Sequence, residues 1–378
     1  MANNRIFYAC QAVAIAPCFD QETEGNTRLV HGVQSVGITT NFNLEQAFEL
    51  GQIQIYENIE GIPDVEVTLE KVLDGYPLIY HLASPKAASA NLVGRSKERC
   101  CVGLGIYPDD QDVVAGNAVT EVYMSGMYIN NISYTIPTDG NATESVTLVG
   151  NHKVWNNGAS SKLVTSAQAS EIPRSNGVGT DEPAALFAGS GGIQRRENVD
   201  MSKCIIPVSI IKAATGGNGT FTAATGNNLS GNDPIAHIQS CTISTDFGRE
   251  DILELGRKAP YYRAPNFPIE VTCEFEVISV SGDLVPAYEE GDPSYLTGDD
   301  TNKKNKGNNT AEETIKVALD DGTFFNLGTK NRLSSVTYGG GDAGGGNATM
   351  TFSYSTFNDL IVGHGLDPAR TGISPYPT

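Results

Sequence analysis

Val33–Gly51 reads VQSVGITTNFNLEQAFELG, and Ile238–Gly256 reads IQSCTISTDFGREDILELG. Roughly half of the positions are identical, at an offset of about 205 residues, and most of the others are chemically similar. Two further blocks keep nearly the same offset. Val65–Glu70 (VEVTLE) matches Ile269–Glu274 (IEVTCE). Ile132-Ser133-Tyr134 matches Val336-Thr337-Tyr338, and just beyond it Asn141-Ala142-Thr143 matches Asn347-Ala348-Thr349. Collinear blocks at one offset read as a tandem duplication.

Each copy has a physical reading. Val33–Phe42 is rich in β-branched residues and is expected to be a strand. Asn43 is then placed to cap a short helix, with Gln46 as in a capping box. Leu44, Ala47 and Phe48 would share one helical face, and Gly51 would end the helix in a left-handed conformation. In the second copy Gly248 takes the cap position, Asp251 replaces Gln46, Ile252 and Leu253 keep the stripe, and Gly256 repeats the stop. Phe42, Phe48, Leu50, Gly51, Phe247, Leu253, Leu255 and Gly256 are accordingly expected to form the packing core of the repeat.

The next block alternates with period two. Val65, Val67 and Leu69 point one way, and Glu66, Thr68 and Glu70 the other. Ile269, Val271, Cys273 and Phe275 likewise oppose Glu270, Thr272, Glu274 and Glu276. One face is buried and the other is wet and acidic. The plain interpretation of that acidic face is a solvated sheet surface; the sharper one places Glu66, Glu70, Glu270 and Glu274 on a shared channel. Hairpins are expected at Thr314–Leu319 with Thr323–Leu327, at Tyr128–Ile136 with Ala142–Val149, and at Leu333–Tyr338 with Ala348–Tyr354.

The fold class that follows is mainly β: a sandwich or half-barrel with one short helix per unit, in two tandem units. The 378 residues suit two domains. The first spans residues 1–200 and includes a Ser-, Ala- and Gly-rich linker over about 156–200; the second spans 201–378 and opens on an apolar strand at Cys204–Ile211, similar to Ile6–Ile15. Ala213–Asp233 and Gly291–Asn309 read as polar loops.

The net charge of −19 argues against gripping DNA, which needs Lys and Arg to displace phosphate counterions, and suits a surface that DNA slides past. Seven cysteines form no CxxC and no metal-ligand spacing with His. The vicinal Cys100–Cys101 pair reads better as buried and reduced than as redox-active. MANNRIFYAC lacks the form of a signal peptide, and no apolar run is long enough for a membrane span. Gly339–Gly346 (GGGDAGGG) lacks the Lys-Ser/Thr of a phosphate loop and reads as a hairpin tip. The acidic clusters Glu289-Glu290-Gly291-Asp292 and Asp299-Asp300 lack EF-hand spacing. His31, His81, His152, His237 and His364 sit in no metal or nucleophile–base pattern, so no catalytic residue, metal or cofactor is assigned.

The strand followed by NFNLEQAFELGQIQIYENIEGIPDVEVTLEKVLDG resembles the tail-tube proteins of tailed bacteriophages. The resemblance is strongest over Val33–Gly75 and recurs more weakly over Ile238–Val277. It implies stacked rings whose inner strands close into a β-barrel around the DNA path, and a location in the virion after synthesis in the host cytoplasm. Most such proteins carry one domain and form hexameric rings. This chain departs by carrying two, so three copies would make a pseudo-hexameric trimer. The implied partners are further copies of itself and other tail proteins such as a sheath, tape measure or baseplate, with DNA passing through without specific binding. The same fold builds baseplate hubs and distal tail proteins, which is the alternative reading. A glycan-binding β-sandwich adhesin would need an aromatic platform, and Trp155 is the only tryptophan. A Cys-dependent hydrolase would need a nucleophile motif that the sequence lacks.

Overall fold

The computed structural model describes residues 6, 8–18, 28–51, 53–84, 86, 90–108, 118–157, 160–163, 192–207, 210, 237–278, 312–340 and 346–363. The Ala213–Asp233 and Gly291–Asn309 loops, most of the linker, both acidic clusters, His364 and the centre of the GGGDAGGG run lie outside these residues.

The chain begins with β1 (Gln11–Pro17), β2 (Arg28–Leu29), β3 (Val33–Asn41), β4 (Leu44–Phe48), β5 (Ile55–Glu60) and β6 (Asp64–Val72). Two short helices, α1 (Ile79–Ala83) and α2 (Leu92–Arg95), precede β7 (Cys100–Ile106), β8 (Thr120–Pro137), β9 (Thr143–Gly150) and β10 (His152–Asn157). The second half holds β11 (Ile238–Asp246), β12 (Glu250–Ile252), β13 (Tyr262–Ala264), β14 (Glu270–Ile278) and β15 (Lys316–Ala318). It ends with β16 (Phe324–Asn326), β17 (Arg332–Gly339), β18 (Thr349–Phe357) and β19 (Ile361–Gly363). The protein is thus mainly β, as the sequence predicts.

The central feature is an antiparallel run in the order β3-β6-β9-β8-β11-β14-β18-β17. Among the described residues it is open, since β3 and β17 each pair with one neighbour there. The 18-residue β8 serves two layers. Its second half lies in the central run, and its first half pairs with β7 and β10 in an outer layer that continues through β1 and β2. A separate three-stranded sheet, β15-β16-β19, packs Phe325 against Tyr134 of β8. The main core lies between the layers. Val67, Leu69, Leu148, Tyr134, Phe275, Phe352 and Tyr354 are buried from the central run, with Tyr80 of α1 and Phe325 of β16 in the same cluster.

The two halves of the run repeat each other closely. The first group is β3-β6-β9-β8, and the second, in the same order, is β11-β14-β18-β17. The register repeats too. Ile38 pairs with Val67 and Val67 with Leu148; Ile243 pairs with Cys273 and Cys273 with Tyr354. Bulges recur at matching places, between Val33 and Ser35 and between Ile238 and Ser240, and again between Ile129 and Asn131 and between Leu333 and Ser335. The three expected hairpins are present, as β8–β9, β15–β16 and β17–β18.

Four expectations are corrected. The helices proposed after Asn43 and Gly248 are hairpins, β4–β5 and β12–β13. Leu44 pairs with Glu60, Gln46 with Asn58 and Phe48 with Ile55, so the β-branched return strand prevails over a helical stripe of three residues. Gly51 and Gly256 do adopt positive φ, +95° and +82°, but in hairpin tips rather than at helix ends. The structural match of Val65–Glu70 is Val271–Glu276, two residues beyond the block matched by sequence. Cys101 is not a free thiol: it forms a disulfide with Cys18, whereas Cys100 is buried and unbridged. Finally, Cys204–Pro207 forms no strand; Ile205 makes an isolated bridge to Lys316.

Candidate assembly surface

The face of the central run turned away from the core is mostly polar, with Val149 opposite Glu66 and Phe357 opposite Glu270 among its apolar members. It presents Thr39 on β3, Glu66, Thr68 and Glu70 on β6, Ser145 and Thr147 on β9, and Ser133 and Thr135 on β8. It continues with Thr242 and Ser244 on β11, then Glu270, Thr272, Glu274 and Glu276 on β14. Ser353 and Thr351 on β18 and Thr337 on β17 complete it. Glu66, Glu70, Glu270 and Glu274 therefore share one surface. Glu276, at the position equivalent to Glu70, joins them. The equivalence extends to the hydrogen bonds: Ser35 Oγ donates to Glu70 Oε2 at 3.3 Å, and Ser240 Oγ donates to Glu276 Oε2 at 3.4 Å. Lys71 is excluded from this surface by strand alternation; it is buried and donates to Asp74 and to the His31 carbonyl.

Where the groups meet, β8 pairs with β11. Tyr134 lies opposite Ile243, Ser133 opposite Ser244, and Asn131 opposite Asp246. The outer strands β3 and β17 repeat β11 and β8 but, among the described residues, have open edges whose outward backbone groups pair with no further strand.

The inner junction carries two arginines with no counterpart in the first group. Arg249 of the second copy stands where the first copy has Leu44. Its guanidinium donates to the carbonyls of Ile129, Arg263 and Ser96 at 2.6, 3.0 and 2.7 Å, and it stacks on Tyr128 and Phe247. Burial lowers its pKa to about 10, still charged at neutral pH. Arg263 pairs with Asp64 of the first group at 2.6 Å and with Asp251 at 2.9 Å. The signal in the sequence is an arginine placed inside the repeat at an apolar position of the other copy, in a chain poor in basic residues.

At one end of the run, beyond Asn41 and Asp64, the β4–β5 hairpin projects, with β12–β13 beyond Asp246. Phe42, Phe48 and Leu50 of the expected repeat core are exposed there, as are Leu253 and Leu255; only Phe247 is buried. At the neck, Asn43 takes positive φ and its Nδ2 donates to the Ile62 carbonyl and Asp64 Oδ2.

Solved structures similar to this chain include parts of an anti-feeding prophage and of an extracellular contractile injection system. One is the tube-terminating cap of the anti-feeding prophage, with TM-score 0.30 and 12% identity over 42% of this chain and 94% of that one. Another comes from the sheath–tube complex of the extracellular contractile injection system PVC in its extended state, with TM-score 0.28 and 12% identity over 41% of this chain and 94% of that one. A third comes from the sheath/tube terminator of the same system, with TM-score 0.30 and 14% identity over 41% and 99%. No protein-family model matches the chain. No curated protein matches it either.

Proposed function

We propose that this chain is a duplicated tail-tube subunit, three copies of which close into a pseudo-hexameric ring that stacks into a tube for DNA ejection. The observation that carries the reading is the β8·β11 junction. It joins two copies of one four-stranded group edge to edge, and leaves β3 and β17 open with the same spatial relation. Repeating that junction between chains pairs β17 of one copy with β3 of the next. By the register inside the chain, Ser335 would face Asn41, Thr337 would face Thr39, and Tyr338 would face Ile38.

Three chains of eight strands would give a barrel about 48 Å across between backbones, from a strand spacing of about 4.8 Å and a tilt of about 40°. Closure removes both open edges. The polar face with Glu66, Glu70, Glu270 and Glu274 then lines the lumen. Hydroxyls and carboxylates there carry no cation to displace the counterions of the DNA phosphates, so the duplex passes without being held. The subunit acts by geometry, not catalysis, and its partners are its own copies and the tail proteins around and beneath the tube.

The test is a pair of cysteines. Thr39→Cys with Thr337→Cys should yield a covalent trimer on a non-reducing gel after mild oxidation, since directly opposed antiparallel positions lie within disulfide reach. Thr39→Cys with Arg332→Cys, out of register, should remain monomeric. A dimer stopping at two chains, or no cross-link in either variant, would sink the ring.

A further inference from the structure

The three-stranded sheet β15-β16-β19 repeats the strands β7, β8 and β10 in order. Both β10 and β19 follow a turn asparagine that reaches the start of a strand in the central run. Asn151 Nδ2 donates to the Pro63 carbonyl at 3.2 Å, and the Asn358 amide donates to the Ile269 carbonyl at 2.8 Å. Pro63 and Ile269 are themselves matched, each lying just before the equivalent residues Val65 and Val271. Counting on equally from the two asparagines brings Trp155 and Val362 to the same place. Val362 is fully buried, whereas Trp155 is 59% exposed and Val154 beside it is exposed too.

What covers β19 comes from the first half of the chain. The Val362 carbonyl accepts from His81 Nε2 of α1 at 2.8 Å, and the Leu360 carbonyl accepts from the Leu92 amide of α2 at 3.0 Å. The outer edge of β19 is thereby sealed behind the β8·β11 junction. On β10 the corresponding positions are Lys153 and Trp155, and among the described residues β10 pairs with β8 alone. Lys153 Nζ donates to Thr40 Oγ1 of β3 at 2.6 Å, which sets β10 directly behind β3. The open edge of β3 in the central run is therefore continued by an open edge of β10 in the layer behind it.

Resting on the ring reading above, we infer that a second copy of this chain closes over β10 and buries Trp155, from the side on which α1 and α2 close over β19. Pairing of β17 with β3 brings the second half of the neighbouring chain to that side, and the cover over β19 is the template within the chain. Each seam between chains then has two layers: backbone pairing of β17 with β3, and an aromatic seat behind it. The difference between Trp155 and Val362 fits this division. Val362 lies in a contact whose two sides are already joined by the chain. Trp155 lies in one that must offset the loss of translational freedom, and a desolvated indole is among the strongest anchors of an interface.

Trp155 is the only tryptophan, so its fluorescence reports this contact alone. The experiment compares acrylamide quenching of the wild-type monomer with that of discrete rings isolated by sizing, and of the covalent trimer formed by Thr39→Cys with Thr337→Cys. A quenching constant lower by about threefold or more in both assembled forms, with emission shifted to the blue, supports the inference. Trp155→Glu should then require at least about tenfold more protein to form rings, while its monomer melts as wild type does. Rings and covalent trimers whose Trp155 is quenched as readily as the monomer's overturn the seat and leave the ring standing. Assembly of Trp155→Glu at the wild-type concentration does the same. Failure of the wild type to form rings, together with failure of the cysteine pair to form a trimer, overturns the ring reading and the seat with it.

Discussion

Tyr134 and Tyr338 hold the same register position in the two four-stranded groups, yet Tyr134 is 1% exposed and Tyr338 48%. The difference is the neighbouring strand. Tyr134 lies opposite Ile243 across the β8·β11 junction, whereas among the described residues no strand pairs beyond Tyr338. Substitution at the two positions should therefore have two different outcomes. Tyr134→Ala opens a core cavity and should cost about 3–5 kcal/mol in urea unfolding. Tyr338→Asp should leave the monomer within about 0.5 kcal/mol of wild type and abolish rings, as read by light scattering on a sizing column.

Charge on the open face gives a second test. Reversing Glu66, Glu70, Glu270 and Glu274 to Lys should preserve assembly, because these side chains lie away from both the core and the strand edges. The assembled variant should bind duplex DNA with an affinity that falls steeply with salt. Wild-type assemblies should show no such binding at 50 mM salt. Equal binding by both would remove the electrostatic account of the lumen.

Arg249 tests the inner junction. Its three carbonyl contacts need the planar guanidinium fork, and a lysine ammonium cannot reach all three from one position. Arg249→Lys should lower stability by about 2–4 kcal/mol, the scale of charged hydrogen bonds lost in a buried site. Arg249→Leu, which restores the residue of the first copy, should be comparably destabilising, since the carbonyls of Ile129 and Ser96 remain unserved. A melting temperature unchanged in both would show that the staple is dispensable.

Glu144 introduces a pH dependence. Its carboxylate is buried and accepts from the backbone N–H of Ile79 at 2.7 Å, from that of Tyr80 at 3.1 Å, and from the Tyr134 hydroxyl at 3.2 Å. Burial raises its pKa, against the pull of those N–H groups. The folded state thus holds this proton more tightly than the unfolded chain does. The stability it contributes is fully present below the unfolded value of 4.5 and is lost as pH rises through the folded value. Glu144→Gln should cost about 1–3 kcal/mol by turning an amide NH2 toward backbone donors. In urea titrations the gap between wild type and variant should narrow as pH rises from 4.5. A gap independent of pH would show that Glu144 does not titrate in this range.

The Cys18–Cys101 bridge closes a separation of 83 residues and ties the end of β1 to β7. Loop-closure entropy sets a ceiling of roughly 4–5 kcal/mol on its contribution. Cys18→Ser should lower the melting temperature, and reductant should lower that of wild type by the same amount. No shift with reductant would mean that the bridge is absent in solution.

The sequence was most informative where period and repeat agree. Val65, Val67 and Leu69 are buried and Glu66 and Glu70 are not, as the alternation requires. The two-residue displacement between VEVTLE and its structural match was hidden for the same reason: a shift by two keeps every side chain on its face, so similarity alone cannot detect it. Partner strands fix it, through Ile38 with Val67 and Ile243 with Cys273. The hairpin after Asn43 is masked in the sequence because Leu44, Ala47 and Phe48 suit a helical stripe, and nothing local reveals that they project away from the core. The β8·β11 junction, the staple made by Arg249 and the exposed edge at Tyr338 depend on pairings across more than 100 residues, which no local pattern encodes.

The β8·β11 contact has one more consequence, in the order of the assembly reaction. Because its two strands belong to one chain, they meet at an effective concentration fixed by the connecting segment rather than by the number of copies in solution. Closing six units from three bodies would depend on the cube of subunit concentration, where six separate units would bring the sixth power. Two associations that forfeit translational freedom would then take the place of five. Such a ring would survive greater dilution than its single-unit counterpart, and on breaking it would release units in pairs.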